Sequence, residues 1–203
     1  MAVRAVVFDI GGVLEFTPYL GVRERWEEQL GLQPGELDAR TRGVWEAGSV
    51  GALSEREVTL RVGGLLGLDE TQVEAFMRDL WTEYLGSLNV ELAEYCRGLR
   101  PRYQTAIISN SFVGARTREQ ERYHFDEITD LLVYSHEVGI AKPDPRIYQL
   151  ACARLGVRPG ETVFVDDNQL MVDGARAAGI QAILFEDNAQ AIAEIEDRLR
   201  ARP

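Results

Sequence analysis

The stretch Val3-Arg4-Ala5-Val6-Val7-Phe8-Asp9-Ile10-Gly11-Gly12 constrains the fold of this chain more than any other. Its apolar run, broken only by Arg4, has the composition of a strand buried on both faces, as in parallel α/β sheets. The run ends at Asp9, beside a backbone free to turn. Open α/β sheets bind ligands in the crevice outside the carboxyl ends of their strands. A carboxylate at such a tip is a candidate for chemistry and equally a candidate for an ordinary turn residue. The later strands have to decide between the two.

From about Glu15 to Leu88 strand signals are almost absent and helical periodicity dominates. Val22 to Leu30 predicts one helix, stopped at Gly31, and Pro34 to about Ala47 a second, with Leu37, Val44 and Trp45 on its apolar side. Ser54 with Glu57 and Asp69 with Gln72 are capping-box pairs that start two more. The last of these carries Val73, Phe76, Met77, Leu80, Trp81, Tyr84 and Leu85 at the helical period. All three tryptophans fall in this block, where aromatic residues ordinarily pack. Phe16, Tyr19 and Trp45 also qualify as substrate-binding residues. The first two follow the Asp9 turn closely, and Trp45 precedes the Gly48-Ser49-Val50 break. A helical unit inserted after the first strand can close over its tip as a lid.

Beyond Val90 helices and strands alternate. Strands are expected at Thr105–Ile108, Leu131–Tyr134, Thr162–Val165 and Gln181–Phe185. Helices are expected over Val90–Leu99, Gly114–Tyr123, Arg146–Leu155, Val172–Ala178 and Ala189–Arg200. Such alternation means βαβ units and a mainly parallel sheet. The 203 residues suffice for one core domain with a smaller insertion.

A formal net charge of -11 argues against a nucleic-acid or anionic-membrane surface, both of which need excess Lys and Arg. It leaves room for a small anionic substrate, because a bound cation inverts the local field. Cys96 and Cys152 have no CxxC spacing and read as small buried hydrophobes. No signal-peptide pattern and no apolar stretch of membrane-spanning length is present, so a cytoplasmic location is expected. The pattern leaves oligomeric state open.

The strand ends carry Asp9, Ser109-Asn110 and Asp166-Asp167, and the segment after the Leu131 strand leads to Lys142. Three carboxylates at neighbouring tips repel one another unless a hard cation joins them, and Mg²⁺ takes such oxygen ligands. Lys142 supplies a positive charge for a phosphoryl oxygen or for an ionised carboxylate, and Ser109 supplies hydrogen-bond donors. Such groups stabilise the charge that develops in phosphoryl transfer.

This set resembles the haloacid dehalogenase superfamily. The four motifs are Phe8-Asp9-Ile10-Gly11-Gly12-Val13-Leu14, Ile107-Ile108-Ser109-Asn110, Gly139-Ile140-Ala141-Lys142-Pro143-Asp144, and Val163-Phe164-Val165-Asp166-Asp167 followed by Gly174 to Gly179. The resemblance implies an α/β fold with a Rossmann-like, doubly wound parallel sheet as core (residues 1–14 and 90–203) and an inserted helical cap (15–89). It makes Asp9 the nucleophile that forms an aspartyl-phosphate. Asp9, the Gly11 carbonyl, Asp166 and Asp167 become the Mg²⁺ ligands. Ser109 binds the transferring phosphoryl group, and Lys142 pairs with Asp9 and phosphate. Asn110 either contacts substrate or shapes its loop. The implied partner is a small phosphorylated metabolite.

Two positions depart from the family pattern. Met171 stands where an Asn is common, which removes an expected support for the acidic pair. Gly11 stands where the family usually has a second Asp, whose carboxyl protonates the leaving oxygen and later activates water. Losing such a group costs roughly 10²–10⁴ in rate, and least for oxygens that depart easily as anions. A family branch with Gly here includes phosphatases similar to bacterial glucose-1-phosphatase, so sugar-1-phosphates or other activated esters are the implied substrates. Two alternatives stand beside this: a binding or regulatory module on a degenerate phosphatase fold, and a 2-haloacid dehalogenase. The second leaves the Asp166-Asp167 pair without a purpose and lacks the aromatic residue expected near Gly11. His136 is a further candidate proton donor if its loop approaches the phosphate, and Glu137 a brace for the Lys142 loop.

Overall fold

The computed structural model describes residues 2–201. Five short strands form a wholly parallel sheet: β1 (Ala5–Phe8), β4 (Gln104–Ser109), β5 (Leu131–Tyr134), β6 (Thr162–Asp166) and β7 (Gln181–Leu184), in the order β5-β4-β1-β6-β7. β1 is central because it is apolar on both faces, and all four of its residues are buried. It pairs Phe8 with Ile107 on one side and with Val165 on the other, which sets the tips of β4 and β6 on either side of Asp9.

The period-two alternation of β1 splits the core. Val6 and Phe8 face one layer with Leu92, Cys96, Phe125 and Ile195, under α5 (Val90–Leu99), α7 (Phe125–Ile128) and α11 (Asn188–Arg200). Ala5 and Val7 face the other with Ile147, Tyr148, Cys152, Val172 and Ala175, under α9 (Pro145–Leu155) and α10 (Gln169–Ala177). This is the doubly wound arrangement the alternation of elements implies. Both cysteines are free and buried, as expected of small hydrophobes.

Four helices lie between residues 16 and 87: α1 (Val22–Leu30), α2 (Glu36–Ser49), α3 (Glu55–Leu66) and α4 (Glu70–Tyr84). They bury a core of their own, including Trp26, Leu37, Val62, Phe76 and Met77. Ser54 and Asp69 cap α3 and α4 with both halves of each capping box formed. Two-residue strands join this block to the sheet. β2 (Glu15–Phe16) and β3 (Ser87–Leu88) pair antiparallel, so the chain leaves and returns through neighbouring residues. Their length is too small to produce a period-two signal, which is why the sequence shows almost no strand there.

Other differences are local. The helix expected from Val172 begins at Gln169, because the Asn168 side chain accepts the Leu170 N–H and caps it earlier. The segment after β5 closes into the short helix α8 (Ser135–Val138). The polar helix α6 (Ala115–Tyr123) turns Ala115, Glu119 and Tyr123 inward at i, i+4 and i+8. No helix among the described residues is long and apolar enough to cross a membrane.

Candidate active site

Asp9 lies one residue beyond β1, and its N–H donates to the Val165 carbonyl at 2.9 Å. Lys142, in the loop between α8 and α9, reaches it from the side. Its Nζ stands 2.8 Å from Asp9 Oδ1 and 2.6 Å from Asp166 Oδ2, and the Lys142 and Asp166 side chains are 1% and 0% exposed. The second Asp166 oxygen accepts the Asn168 N–H at 2.9 Å. Such a buried ion cluster holds only if its members are fully bonded, since desolvation otherwise outweighs their attraction. Burial pushes the Asp9 carboxyl up to about 6; Lys142 opposes that rise and Asp166 adds to it. Burial, and then Asp166, also raise Asp167.

Oxygens of Asp9, Asp166 and Asp167 lie within 4.8 Å of one another. Three carboxylates facing one ammonium form an all-oxygen, strongly negative donor set. Its chemistry fits a hard divalent cation.

The two glycines after Asp9 differ. Gly12 has φ of +75°, and a Cβ there would overlap the Asp167 carboxylate, so neither its conformation nor its space admits a side chain. A Cβ on Gly11 would meet nothing within 4 Å. Nothing in the packing therefore requires the missing carboxyl to be missing.

Ser109 is buried at the end of β4. Asn110 lines the space above Asp9 and is also bonded to the Lys142 backbone. Its Nδ2 donates to the Lys142 carbonyl at 2.8 Å and its Oδ1 accepts the Lys142 N–H at 2.7 Å. The side chain thereby fixes the loop that carries the ammonium.

Two adjoining cavities open over this tip. The smaller, about 200 Å³, is lined by Asp9, Gly11, Glu15, Tyr84, Ser109 and Glu119 among others. The larger, about 400 Å³, is walled by Trp45, Met77, Leu80, Trp81 and Phe112. Thr17, Tyr84 and Asn110 line both. The structure sets Trp45 in this wall, its ring 5.3 Å from that of Phe112. Phe16 and Tyr19 line neither of these two cavities and are 45% and 79% exposed. Thr17, Trp81 and Phe112, assigned no task from sequence, line the cavities beside Trp45.

His136 lines neither cavity. Its Nδ1 stands 2.7 Å from Ser111 Oγ, and burial lowers its pKa. Glu137 accepts from Arg116 at 2.9 Å, tying α8 to α6.

Sequence reasoning missed Glu119. It is 1% exposed, accepts the Tyr84 hydroxyl at 3.0 Å through Oε1, and has no partner for Oε2. Amid Arg116, Arg118, Glu121 and Arg122 it reads as solvated helix surface. The available signal was its i, i+4 spacing to Ala115 and Tyr123, the two other residues α6 buries.

A doubly wound, Rossmann-like α/β fold, with an aspartate at the tip of its central strand and a lysine-bridged acidic cluster around it, is the class defined here. Residues 3–179 match the haloacid dehalogenase-like hydrolase family, and the chain belongs to it. The bifunctional epoxide hydrolase 2 of Sus scrofa is 29% identical over 220 residues, spanning 97% of this chain and 39% of that protein. The chain thus covers about two-fifths of that relative's length. The D-ribitol-5-phosphate phosphatase of Bacteroides thetaiotaomicron is 26% identical over 200 residues, spanning 92% of this chain and 94% of that enzyme. A shorter match, 81 residues and 40% of this chain, is 38% identical to (S)-2-haloacid dehalogenase 1 of Pseudomonas, of which it spans 36%. In fold, the chain superposes on a haloacid dehalogenase-family enzyme of Bacteroides thetaiotaomicron solved with magnesium and inorganic phosphate. The TM-score is 0.79 at 21% identity, over 94% of this chain and 99% of that one.

Proposed function

We propose that the chain is a Mg²⁺-dependent phosphomonoester hydrolase working through an aspartyl-phosphate on Asp9. The observation that carries this is the buried bridge from Lys142 to both Asp9 and Asp166, beside a third carboxylate. Burial alone favours a neutral Asp9, and a neutral acid is a poor nucleophile. The Lys142 ammonium opposes that effect and holds Asp9 Oδ1 in place.

An Asp9 oxygen attacks phosphorus, the ester P–O bond breaks, and water then hydrolyses the acyl phosphate to return the carboxylate and inorganic phosphate. The Ser109 hydroxyl donates to a phosphoryl oxygen. Asp9, Asp166, Asp167 and the Gly11 carbonyl hold Mg²⁺, which when bound neutralises phosphoryl charge. The helical block, about residues 15–89, acts as the cap, and its Trp45 wall contacts the leaving group. Substrates are small phosphorylated metabolites, and Gly11 taken by itself favours those whose oxygen departs readily. The group includes sugar-1-phosphates, as in the glucose-1-phosphatase-like branch that Gly11 resembles. The phosphatase relative spanning nearly the whole chain supports the reaction type.

Gly11 favours a second reading, a binding module without turnover. The experiment is phosphate release from p-nitrophenyl phosphate, glucose-1-phosphate and D-ribitol-5-phosphate, with and without Mg²⁺, for the native chain and Asp9→Asn. Mg²⁺-dependent release that falls about 10⁵-fold or more in the variant is expected, the scale on which nucleophile removal acts. Release no greater than that of the variant on all three esters leaves the binding module. Halide release from 2-chloropropionate without phosphate release would select the dehalogenase.

A further inference from the structure

We propose that Glu119 is the proton donor to the leaving oxygen, taking the task that a carboxyl at position 11 has in the family pattern. This inference rests on the phosphatase reading of the same site.

Three observations on geometry carry it. Glu119 lines the small cavity together with Asp9 and Gly11. That volume, about 200 Å³, holds a phosphoryl group and a few waters. On this proposal an ester bound on Asp9 presents its leaving oxygen to Glu119 across that cavity, directly or through one water. Second, the space beside Gly11 is open where a side chain would begin. Third, Glu119 is buried with Tyr84 holding Oε1, and Oε2 makes no hydrogen bond of normal geometry, the Tyr134 hydroxyl near it being likewise unsatisfied. A buried carboxyl oxygen short of partners is costly, and one that lines a cavity beside Asp9 is placed to bond what that cavity holds.

The surroundings shift this carboxyl towards its protonated form. The titratable groups facing it are Asp9 beyond β1, Glu15 on β2, Tyr84 on α4, Tyr123 on its own helix and Tyr134 on β5. Burial raises its pKa to about 7; Glu15 and Asp9 add to this, and the tyrosine hydroxyls of residues 134 and 84 oppose it. A carboxyl poised near neutrality is matched to general acid catalysis.

In the first step Asp9 forms its bond to phosphorus, the ester P–O bond breaks, and the leaving oxygen takes the Glu119 proton to depart as an alcohol. In the second, water attacks phosphorus, its proton passes to the Glu119 carboxylate, and the Asp9–phosphorus link opens. Both groups return to their starting states.

The test compares kcat/KM, which reports the steps through leaving-group departure, for n-propyl phosphate and p-nitrophenyl phosphate. Glu119→Gln retains an oxygen to accept from Tyr84 and loses only the proton. The variant is expected to lose about 10²-fold or more on the alkyl ester and less than tenfold on the aryl ester, whose phenolate needs no proton. The native alkyl profile should fall on a limb near neutral pH that the variant lacks. Equal losses on both esters with no change of profile would assign Glu119 a merely structural role and overturn the proposal, as would an unaffected alkyl ester. A measurement without any variant guards against misfolding. Across alkyl and aryl phosphates the native kcat/KM should vary little with leaving-group acidity, and a steep dependence overturns the proposal. Failure of the native chain to exceed Asp9→Asn on p-nitrophenyl phosphate would instead remove the phosphatase reading, and this proposal with it.

Discussion

The two sides of Asp9 are built on opposite rules. Towards Lys142 the charged groups are bonded to one another: the ammonium to Asp9 and Asp166, and Asp166 also to a backbone N–H. Asn110 even fixes the backbone of the lysine. Towards Gly11 the structure is open, with Glu15 and Glu119 each burying an oxygen that has no partner. A nucleophile needs its charge and position fixed before substrate arrives. The groups that meet a departing oxygen need free valences, because their partner comes and goes. Preorganisation on one side and unmet hydrogen bonds on the other are two halves of one catalytic requirement.

Removing the bridge breaks this contrast most severely. Lys142→Met leaves two buried carboxylates uncompensated and should destabilise the chain by about 3–5 kcal/mol at neutral pH in denaturant titration. A loss below about 1 kcal/mol would mean that the bonded side is no more rigid than the open one.

Glu119 gives a pH signature of the open side. Its folded-state pKa stands at about 7 against an ordinary 4.5, so the native chain holds this proton more tightly than the unfolded chain does. The resulting stabilisation is full below about 4.5 and lost as pH rises through about 7. Relative to Glu119→Gln, the native chain should lose on the order of 3 kcal/mol between these limits, read from paired unfolding curves. A parallel pair of curves would place the carboxyl in contact with water.

Gly12→Ala introduces strain at a positive φ and forces Asp167 aside. It should cost about 1–3 kcal/mol and weaken Mg²⁺ binding in calorimetric titration. The neighbouring Gly11→Asp should change stability by less than about 1 kcal/mol, since its Cβ meets open space. Placed in the Glu119→Gln background, it should restore alkyl phosphate turnover about tenfold or more by supplying the missing acid.

The legible parts of the molecule were those governed by local rules. Ser54 with Glu57 and Asp69 with Gln72 located two helix starts to the residue, because a capping box is complete within four residues. Asp9, Ser109 and Asp166 were legible as strand tips because apolar runs stop abruptly at them. The parts that escaped depend on distant partners. Glu119 sits in a charged helix and acquires its character only from α4, β2 and the sheet. Phe16 and Tyr19 are close to Asp9 in sequence, and both are exposed. Phe112, assigned no task from sequence, joins Trp45 and Trp81 in one wall only after α2 and α4 fold over the β4 tip.

The β2–β3 ribbon has a consequence beyond joining two parts of the chain. Everything between it is, to the sheet, a single long loop whose ends are already tied, so closing that loop is settled by four residues. The residues of the open side straddle this tie. Glu15 lies on the ribbon, Tyr84 just before it, and Glu119 on the sheet side. The Tyr84–Glu119 hydrogen bond is thus a second tie between the helical segment and the sheet side, made where the small cavity lies.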